Sequence, residues 1–504
     1  MNLSLAGKDR FKIISDFLDE TALSFPDKVA LVYEGSSYTY ENLKKRSDKI
    51  SDFLLKNTKK GDVVGILIQN APDFVISYFG VLRSGCSVLL LSVNVSDKNL
   101  LLQIEKTRPK IFFSEQKLAE KLKRSGVDSK TLFFVNNIVS TKKPKTASDS
   151  FRTVSPEDVS TIIFTSGTTG APKGIKLQHK NVVGATFNII KFLKWRAKDI
   201  DVNVASLSHS FGIGNIHCIF AVGGTSIAYP DALNVKGILD VIEKYKATTL
   251  SLTPVTLRIA TERFMLSLVA AADSLRFIQT NMSRLEKSLI LSIISNLPAI
   301  DFHYYYGLTE ASRSTFVTLN RHQDKLDSVG QPSPGVKIKI IEESGNILGP
   351  GKIGEICVKG NMVIKEYWDK QETQKRIKDG WLHTNDFGYL DEQGYLYISG
   401  RKDDIINVSG EKVSPEEVEI VIKRVPGVYD AVVIGLPDKL LGESVSAYVI
   451  AERSDFDLQS IIKECRKRLE SYKVPQKIAL IEKIPKTDNG KVQRTLFKKT
   501  IINK

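Results

Sequence analysis

The segment from Thr165 to Gly174 combines hydroxyl side chains, three glycines and a lysine in one short stretch. It directly follows the apolar residues 161–164, which are typical of a buried strand. A strand that ends in such a loop presents backbone N–H groups, hydroxyls and a cation to one ligand. We therefore predict a loop that binds a polyphosphate. Its candidate nucleotide-binding residues are Thr165, Ser166, Gly167, Thr168, Thr169, Gly170 and Lys173.

This loop matches neither of the two best-known nucleotide loops. A P-loop requires Gly-Lys-Ser/Thr, but Pro172 precedes Lys173 and Gly174 follows it. The glycine spacing also differs from the Gly-x-Gly-x-x-Gly fingerprint of dinucleotide-binding folds. The alternative is a flexible linker rich in Ser, Thr and Gly, although a linker has no need of Pro-Lys-Gly in this register.

A second candidate segment, residues 304–310, reads Tyr-Tyr-Tyr-Gly-Leu-Thr-Glu. Tyr306 offers an aromatic surface for a base, and Gly307 allows a ligand to approach closely. Thr309 and Glu310 have the oxygen atoms that phosphate and Mg²⁺ sites use. The alternative is the end of an aromatic core strand.

Charged residues near predicted turns supply three further candidates. Asp386 is suited to accept hydrogen bonds from both ribose hydroxyls, and Arg401 could reach ribose or phosphate. Asp403 lies where the chain leaves the predicted large domain. Each is a weak signal by itself, because charged turns are common.

Two other segments carry groups that could act on a reacting acid. Lys491 lies on a turn next to Gly490, and its compact charge could stabilise the negative charge of a transition state. The alternative is a solvated surface lysine. His209 and Phe211 could line a pocket for an organic group, or His209 could be an ordinary buried histidine.

Short apolar runs that alternate with helical patterns must position these residues. Residues 63–68 and 87–91 are continuous apolar runs that suit buried parallel strands, with a predicted helix over 71–84 between them. Residues 28–33 and 37–40 alternate like a hairpin. The alternation of strands and helices continues to about residue 320, which predicts an α/β fold with parallel sheets.

The length of 504 residues and changes in the predicted secondary-structure pattern along the chain indicate two domains. We expect a large N-terminal domain over 1–400 with several subdomains, including a β-rich subdomain over about 329–398. A hinge over 401–404 and a small mobile α+β domain over 405–504 follow.

Composition limits the possible partners. The formal charge of +15 fits anion binding, or a lysine-rich surface, which we favour. Basic residues are not interleaved with aromatics as in nucleic-acid sites. Apolar stretches are too short for an integral membrane segment, and the N-terminus lacks a signal-peptide core. The four scattered cysteines indicate a reduced, cytoplasmic protein.

Taken together, the order and residue types of these segments resemble the adenylate-forming superfamily. That superfamily includes acyl-CoA synthetases, the adenylation domains of peptide synthetases and luciferases. The resemblance extends from residue 37 to Lys491 and is closest to AMP-forming acyl-CoA ligases. The residues that carry it best are the loop, 306–310 and 400–419.

The resemblance implies that a carboxylate attacks the α-phosphate of Mg-ATP to give an acyl-adenylate and pyrophosphate, and that a thiol then displaces AMP. Loop residues would bind the phosphates, and Tyr306 and Gly307 would lie at the adenine. Roles are also implied for other residues: Thr169 and Glu310 at Mg²⁺, Asp386 and Arg401 at the ribose, Thr309 and Lys491 in adenylation, and Asp403 as the hinge.

For the acceptor thiol, the segment around Ser409 and Gly410 looks like that of CoA ligases, where the matching glycine lets the pantetheine arm pass. Similar segments occur in relatives that load carrier proteins. A phosphopantetheinyl acyl carrier protein therefore remains an alternative acceptor to CoA. A nucleotide-binding scaffold without catalysis is a third hypothesis.

For the acid, amino-acid-activating relatives carry an Asp in the region that matches residues 208–212, where this chain has Ser-His-Ser-Phe-Gly. A plain organic acid is therefore expected, with His209 beside its carboxylate. The expected acyl pocket includes Phe211 and Gly212. Asn281 and Met282 replace smaller residues of many relatives and predict a pocket that is short or unusually shaped. For Arg313, a structural salt bridge is favoured over pairing with a second carboxylate or polar group of the substrate.

Overall fold

The structure is a computed structural model that describes residues 10–69, 72–141, 152–165, 172–281, 285–402, 404–409, 411–438, 440–453, 455–486 and 492–502. The chain divides into two compact units. The first unit contains Met1–Thr165, Pro172–Ile338 and Val358–Leu382. The second contains Lys339–Cys357 and His383–Lys504.

Helices are distributed along both units. In chain order they are α1 (Asp16–Ser24), α2 (Tyr40–Asn57), α3 (Pro72–Arg83), α4 (Asp97–Thr107), α5 (Ala119–Arg124), α6 (Val135–Val139), α7 (His179–Leu193), α8 (Ser210–Val222), α9 (Val235–Tyr245), α10 (Pro254–Arg263), α11 (Met265–Ala271), α12 (Lys287–Asn296), α13 (Lys370–Arg376), α14 (Pro415–Ile422), α15 (Leu458–Arg468) and α16 (Arg494–Ile502).

Strands alternate with these helices in the N-terminal part of the chain and cluster after residue 300. In chain order they are β1 (Val29–Tyr33), β2 (Ser36–Thr39), β3 (Val63–Leu67), β4 (Ser87–Leu90), β5 (Ile111–Ser114), β6 (Leu132–Phe134), β7 (Val159–Thr165), β8 (Lys173–Gln178), β9 (Ile200–Asn203), β10 (Thr225–Ala228), β11 (Thr249–Ser251), β12 (Phe277–Asn281), β13 (Asp301–Leu308), β14 (Ala311–Thr318), β15 (Gln331–Pro332), β16 (Val336–Ile341), β17 (Gly354–Gly360), β18 (Glu366–Tyr367), β19 (Ile377–Lys378), β20 (Trp381–Leu390), β21 (Leu396–Arg401), β22 (Ile406–Val408), β23 (Glu411–Val413), β24 (Val428–Asp438), β25 (Gly442–Ala451) and β26 (Lys477–Leu480).

Two large sheets form the frame of the first unit. The nine-stranded sheet has the order β15-β14-β13-β12-β11-β9-β10-β1-β2, and the seven-stranded sheet has the order β18-β8-β7-β4-β3-β5-β6. The central strands β9, β11, β12 and β13 pair in parallel. Their carboxyl ends therefore meet at one edge of the sheet, where ligand sites of parallel sheets usually lie.

Burial explains why these segments are strands. All five residues of β3 are buried, and β3 pairs in parallel with β4 and β5. A strand covered on both faces reads as a continuous apolar run, which is the pattern that predicted it. The core of this unit continues through α3, whose residues from Phe74 to Leu82 are all buried.

In the second unit, β23, β22, β25 and β24 form an antiparallel sheet to which β26 adds in parallel. Its helix α14 begins at Pro415, and the Ser414 side chain caps its first turn by accepting from the Glu417 N–H. Arg494 binds both carboxylate oxygens of the buried Glu419 at 2.8 and 2.7 Å. Such bidentate pairing compensates the burial of both charges.

The predicted fold class is confirmed. Parallel α/β sheets occupy the N-terminal part, the region around 329–398 is rich in strands, and an α+β region follows. The predicted hairpin over 28–33 and 37–40 is β1–β2, which pair antiparallel. The domain boundary at 401–404 stays a prediction, and Asp403 lies outside the described residues.

Candidate active site

The strands on both sides of the predicted phosphate loop are paired with each other. β7 and β8 run antiparallel, and Thr165 lies opposite Lys173. The loop residues Ser166, Gly167, Thr168, Thr169 and Gly170 lie outside the described residues. The prediction that they bind a polyphosphate therefore rests on the sequence.

Lys173 has a carboxylate partner that the sequence did not indicate. Its Nζ lies 2.7 Å from Glu372 Oε1 on α13, and both side chains are largely buried. This ion pair holds the ammonium group at the end of the loop. Because Glu372 lies 199 residues further along the chain, no local pattern could have linked the two.

The turn between β13 and β14 carries the second group of predicted residues. Tyr306 is buried, with 1% of its surface exposed, whereas Thr309 and Glu310 on the turn are half-buried. A Cβ on Gly307 would overlap the backbone nitrogen of Arg313, so the turn requires glycine there. The placement of Tyr306 and Gly307 at an adenine stays a prediction.

Glu310 is held by a tyrosine that sequence reasoning missed. The Tyr367 hydroxyl donates a hydrogen bond of 2.9 Å to Glu310 Oε1, and the Ile364 N–H donates to the Glu310 carbonyl oxygen. Burial, followed by the charge of Glu310, raises the pKa of Tyr367, so its hydroxyl stays a donor. Tyr367 also pairs with Ile175 of β8, just after Lys173. Tyr367 therefore links the loop hairpin to the turn that carries Glu310.

These residues fit a Mg²⁺ ion bound together with a polyphosphate. Mg²⁺ usually takes one or two protein carboxylates, waters and phosphate oxygens. Glu310 has one oxygen engaged by Tyr367, and its second oxygen is not needed for that bond. A half-buried carboxylate at the carboxyl end of a strand is suited to this role.

On the other side of the same turn, Arg313 is buried and its backbone is left-handed, with φ at 49°. Its Nη2 donates to Asn215 Oδ1 at 2.6 Å. Its guanidinium carbon lies 5.3 Å from the Phe211 ring centre and 5.0 Å from that of Tyr305. The salt bridge that the sequence favoured is not found among the described residues; aromatic rings and an amide surround the group instead.

His209 precedes α8 and is half-buried. Burial lowers its pKa below the usual 6.5, so the imidazole is mainly neutral near pH 7. Gly212, in the first turn of α8, lies against the Ser206 and Ala205 carbonyl oxygens where a Cβ would overlap. The contact of His209, Phe211 and Gly212 with an acid stays a prediction.

Asn281 ends β12 opposite Tyr305 of β13 and hydrogen-bonds to the Tyr305 side chain. Burial raises the pKa of Tyr305 to about 12, although the Arg313 charge and these hydrogen bonds oppose the shift. Met282 lies outside the described residues. The structure therefore joins Asn281, Tyr305, Phe211 and Arg313 in one group of contacting side chains.

A cavity of about 40 Å³ lies between the two sheets and α7 and α8. Thr309 lines it from the turn, Ser312 and Arg313 line it from the start of β14, and His217 and Tyr78 line it from the helices. Its remaining lining is mostly aliphatic. His217 Nε2 lies 3.1 Å from the Tyr78 hydroxyl, and neither residue was predicted from the sequence.

In the second unit, the structure brings the two predicted ribose residues together. Arg401 Nε lies 2.7 Å from Asp386 Oδ1, and Asp386 lies opposite Arg401 in the β20–β21 pair. Ser409 is exposed, has a left-handed backbone and donates its N–H to the Leu441 carbonyl. Gly410 and Lys491 lie outside the described residues.

Residues 18–368 match the family of AMP-binding enzymes, and residues 417–491 match the AMP-binding enzyme C-terminal domain. The chain belongs to the AMP-binding enzyme family. This confirms the resemblance and the predicted class, an AMP-forming ligase of the acyl-CoA synthetase type. Within the described residues, no helix is long and apolar enough to cross a bilayer.

Similar proteins cover nearly the whole chain of this AMP-binding enzyme. An oxalate–CoA ligase of Arabidopsis thaliana is 29% identical over 97% of this chain and 99% of its own. A medium-chain fatty-acid–CoA ligase of Escherichia coli is 28% identical over 97% of this chain and 91% of its own. The solved o-succinylbenzoate coenzyme A synthetase of Bacillus subtilis, in complex with ATP and magnesium, is 26% identical. It has a TM-score of 0.85 and covers 96% of this chain and 99% of that one.

Proposed function

We propose that this enzyme activates a small carboxylic acid with Mg-ATP and transfers the acyl group to CoA. The acid's carboxylate attacks the α-phosphorus, the bond to the β-phosphate oxygen breaks, and pyrophosphate leaves. The CoA thiol then attacks the acyl carbon, and AMP leaves. The contact of Tyr367 with Glu310, made from a strand paired to β8, carries this proposal because it joins the two predicted halves of the ATP site.

The described residues divide the work of the first step. Lys173, oriented by Glu372, would pair with a phosphate oxygen of the leaving group. Glu310, oriented by Tyr367, would hold Mg²⁺ with Thr169. That ion would neutralise the phosphate charge that otherwise repels the incoming carboxylate. A carboxylate is already ionised near pH 7, so the residues need to align and neutralise charge rather than remove a proton.

His209 would meet the carboxylate of the acid as a neutral imidazole, because burial lowers its pKa. As a neutral group it can donate one N–H to a carboxylate oxygen without forming an ion pair that would weaken the nucleophile. Thr309, which lines the cavity, would donate its hydroxyl hydrogen to the same region. Tyr306 and Gly307 would hold the adenine.

For the remaining steps we propose roles that rest on the sequence. Lys491 would stabilise the charge on the α-phosphate during adenylation, and Asp386 and Arg401 would hold the ribose. Asp403 would be the hinge that allows the small domain to change its position between the two reactions. Ser409 and Gly410 would contact the pantetheine arm of CoA.

We also propose a cytoplasmic location, which imaging of the tagged full-length chain would test.

The test measures ATP–pyrophosphate exchange and AMP release with CoA over a panel of acids. We expect acid-dependent exchange, and AMP release only when CoA is added. The Lys491→Ala variant should lose exchange by about 10²–10³-fold. A nucleotide-binding scaffold would bind ATP without exchange, and its Lys491→Ala variant would behave like the parent.

The carrier-protein alternative makes a different prediction for the same assay. Exchange would occur with the acid, but free CoA would not be acylated until a phosphopantetheinyl carrier protein was supplied. Efficient AMP release with free CoA would exclude that alternative. Absence of exchange with every acid would contradict the proposed function itself.

A further inference from the structure

Arg313 is a buried cation without a carboxylate partner among the residues that the structure describes. Only 3% of its surface is exposed, and no carboxylate oxygen of the described residues lies within 4.0 Å of its nitrogens. Its Nε has no hydrogen-bond partner. A buried guanidinium is unfavourable unless a negative charge compensates it, which indicates that an anion is missing from its surroundings.

The side chains that support Arg313 also leave polar atoms unsatisfied. Asn215 Oδ1 accepts from Arg313 at 2.6 Å and from Gln279 Nε2 at 3.3 Å. Asn215 Nδ2 and Gln279 Oε1 have no partner, although both residues are fully buried. Buried polar atoms are almost always hydrogen-bonded in native proteins. The Arg313 guanidinium and the Asn215 amide that it contacts therefore each have one N–H donor without an acceptor, Arg313 Nε and Asn215 Nδ2.

The buried acid Asp201, whose pKa burial raises although the charge of Arg313 opposes the shift, forms no ion pair with Arg313 and has one oxygen engaged by hydroxyl groups. Asp201 Oδ1 accepts from Thr249 at 2.9 Å and from Ser251 at 3.2 Å. Gln279 Nε2 donates to Ser251 at 2.8 Å, so hydrogen-bonded side chains separate Asp201 from Arg313. Asp201 therefore does not replace a direct ion pair.

Two backbone features accompany the buried Arg313 side chain: its own left-handed conformation and a neighbouring glycine. A left-handed φ of 49° disfavours any residue with a Cβ, and such strain persists where a particular side chain is required. At Gly214, a Cβ would approach Arg313 Nη1 to 3.0 Å. Gly214 thus provides the room that the guanidinium occupies.

Arg313 lines the same cavity as Thr309, the neighbour of Glu310. The volume of about 40 Å³ is room for about three water-sized groups, since one needs about 10–15 Å³. A molecule that spans this space can hold only a few heavy atoms. Arg313 and Thr309, which is next to the proposed Mg²⁺ ligand, therefore line one small cavity.

We propose that Arg313 is a specificity-determining residue that binds a second carboxylate of the substrate, and that the acids activated are short dicarboxylic acids. One carboxylate reacts with ATP, and the other stays unchanged and forms charge-assisted hydrogen bonds with Arg313 and Asn215. This proposal rests on the proposed function and specifies its substrate class.

The test compares length-matched acids in the AMP-release assay, with malonate, succinate and glutarate against propionate, butyrate and valerate. We expect the parent enzyme to prefer at least one dicarboxylate by about 100-fold or more in kcat/KM, because a site built for a polar group rejects analogues without it. Arg313→Met should abolish this preference. Arg313→Lys, which keeps the charge, should retain part of it.

Arg321→Met is the matched control, because Arg321 follows the same β13–β14 hairpin but is exposed and paired with Asp301 at 2.8 Å. It should keep the parent's selectivity. Equal or better use of monocarboxylates by the parent enzyme would overturn the proposal, while AMP release with those acids would leave the proposed function intact.

A binding experiment tests the proposal independently of catalysis. Thermal unfolding of the full chain is followed with each acid, since a ligand of the native state raises the midpoint. Dicarboxylates should raise the midpoint of the parent and of Arg321→Met but not of Arg313→Met. If Arg313→Met does not fold, the parent and Arg313→Lys decide the matter. No shift with any dicarboxylate would overturn the proposal.

Discussion

Glu310, on the turn between β13 and β14, and Arg313, near the start of β14, lie three residues apart, yet their surroundings differ in kind. Glu310 is half-buried and held by one hydroxyl, that of Tyr367. Arg313 is buried between the Phe211 and Tyr305 rings and contacts the amide of Asn215. The half-buried Glu310 is suited to a metal ion that binds and dissociates together with a nucleotide. The buried surroundings of Arg313 are suited to an organic group that is desolvated when it binds.

We propose that the β13–β14 hairpin combines a site for the nucleotide, which all such enzymes share, with a site for the individual acid. Such an enzyme must bind ATP in the same way whichever acid it activates. Accordingly, the Glu310 carboxylate is connected through Tyr367 to the β7–β8 hairpin, whose loop is predicted to bind the phosphates. The acid itself varies among such enzymes, and we propose that its recognition here depends on the side chains of α8 and β12.

The largest expected effect is that of Glu310→Gln. Loss of the carboxylate removes the proposed Mg²⁺ ligand, and we expect adenylation to fall by about 10²–10³-fold in kcat, equal to about 3–4 kcal/mol. The Mg²⁺ concentration needed for half-maximal exchange should rise, while relative kcat/KM values among acids should not change. Glu366→Gln, at an exposed side chain paired with Lys176, is the control. Altered acid selectivity in Glu310→Gln would contradict the separation of the two sides.

The second effect is acid destabilisation centred on the cavity. Burial, assisted by the charges of Arg313 and His179, lowers the pKa of His217 to about 3. Above pH 6.5 His217 is neutral in both folded and unfolded chains. As pH falls below 6.5, only the unfolded chain gains the proton, so the stability contributed by the neutral state is lost down to about pH 3. Between pH 7 and pH 5 the loss is about 2 kcal/mol from this group.

Urea unfolding at several pH values, followed by tryptophan fluorescence, measures this loss. All three tryptophans, Trp195, Trp368 and Trp381, lie in the first unit. His217→Asn should weaken the pH dependence of the unfolding midpoint, whereas His322→Gln, at an exposed position, should not. An unchanged pH dependence in His217→Asn would show that His217 is not the cause, and would leave the buried His179 and His303, whose pKa values burial lowers to about 4, as its source.

A smaller effect is expected from Asn215→Leu, which removes the acceptor of Arg313 Nη2 but keeps the volume of the side chain. Hydrogen bonds to charged groups contribute about 1.5–3 kcal/mol. We therefore expect KM for the preferred acid to rise about tenfold or more, with KM for ATP unchanged. Asn188→Leu, on the face of α7 that contacts Asn361, is the amide control. An increase in KM for ATP alone would contradict a role of Asn215 in binding the acid.

Prediction from sequence succeeded where the pattern is local. The strand before Thr165 follows from neighbouring residues and is confirmed as β7. Gly307 was predicted to allow a ligand to approach, whereas in the structure the nearby backbone of Arg313 requires glycine there. The roles of Thr309 and Glu310 stay predictions. The partners that orient these groups did not follow, because Tyr367 is 57 residues from Glu310 and Glu372 is 199 from Lys173.

The surroundings of Arg313 were hidden for the same reason. A salt bridge was the expected partner, since an isolated arginine says nothing of its burial. Only the packing of α8 against β12 and β13 shows that rings and the Asn215 amide surround it. The roles of Lys491, Asp403 and Gly410 stay predictions from the sequence.

The smallest effect distinguishes a positioning residue from a ligand. Tyr367→Phe removes the hydroxyl that orients Glu310 but leaves the carboxylate, and we expect kcat for adenylation to fall by about 3–10-fold and stability by about 1 kcal/mol. Because the pKa of Tyr367 is raised, the hydroxyl donates at every working pH, and the loss should not depend on pH between 6 and 9.

Tyr429→Phe, at an exposed tyrosine, is the control. At saturating Mg²⁺, kcat of Tyr367→Phe should return close to that of the parent, whereas kcat of Glu310→Gln should stay low, since only Tyr367→Phe retains the carboxylate. Equal behaviour of the two variants would mean that Tyr367 does more than orient Glu310.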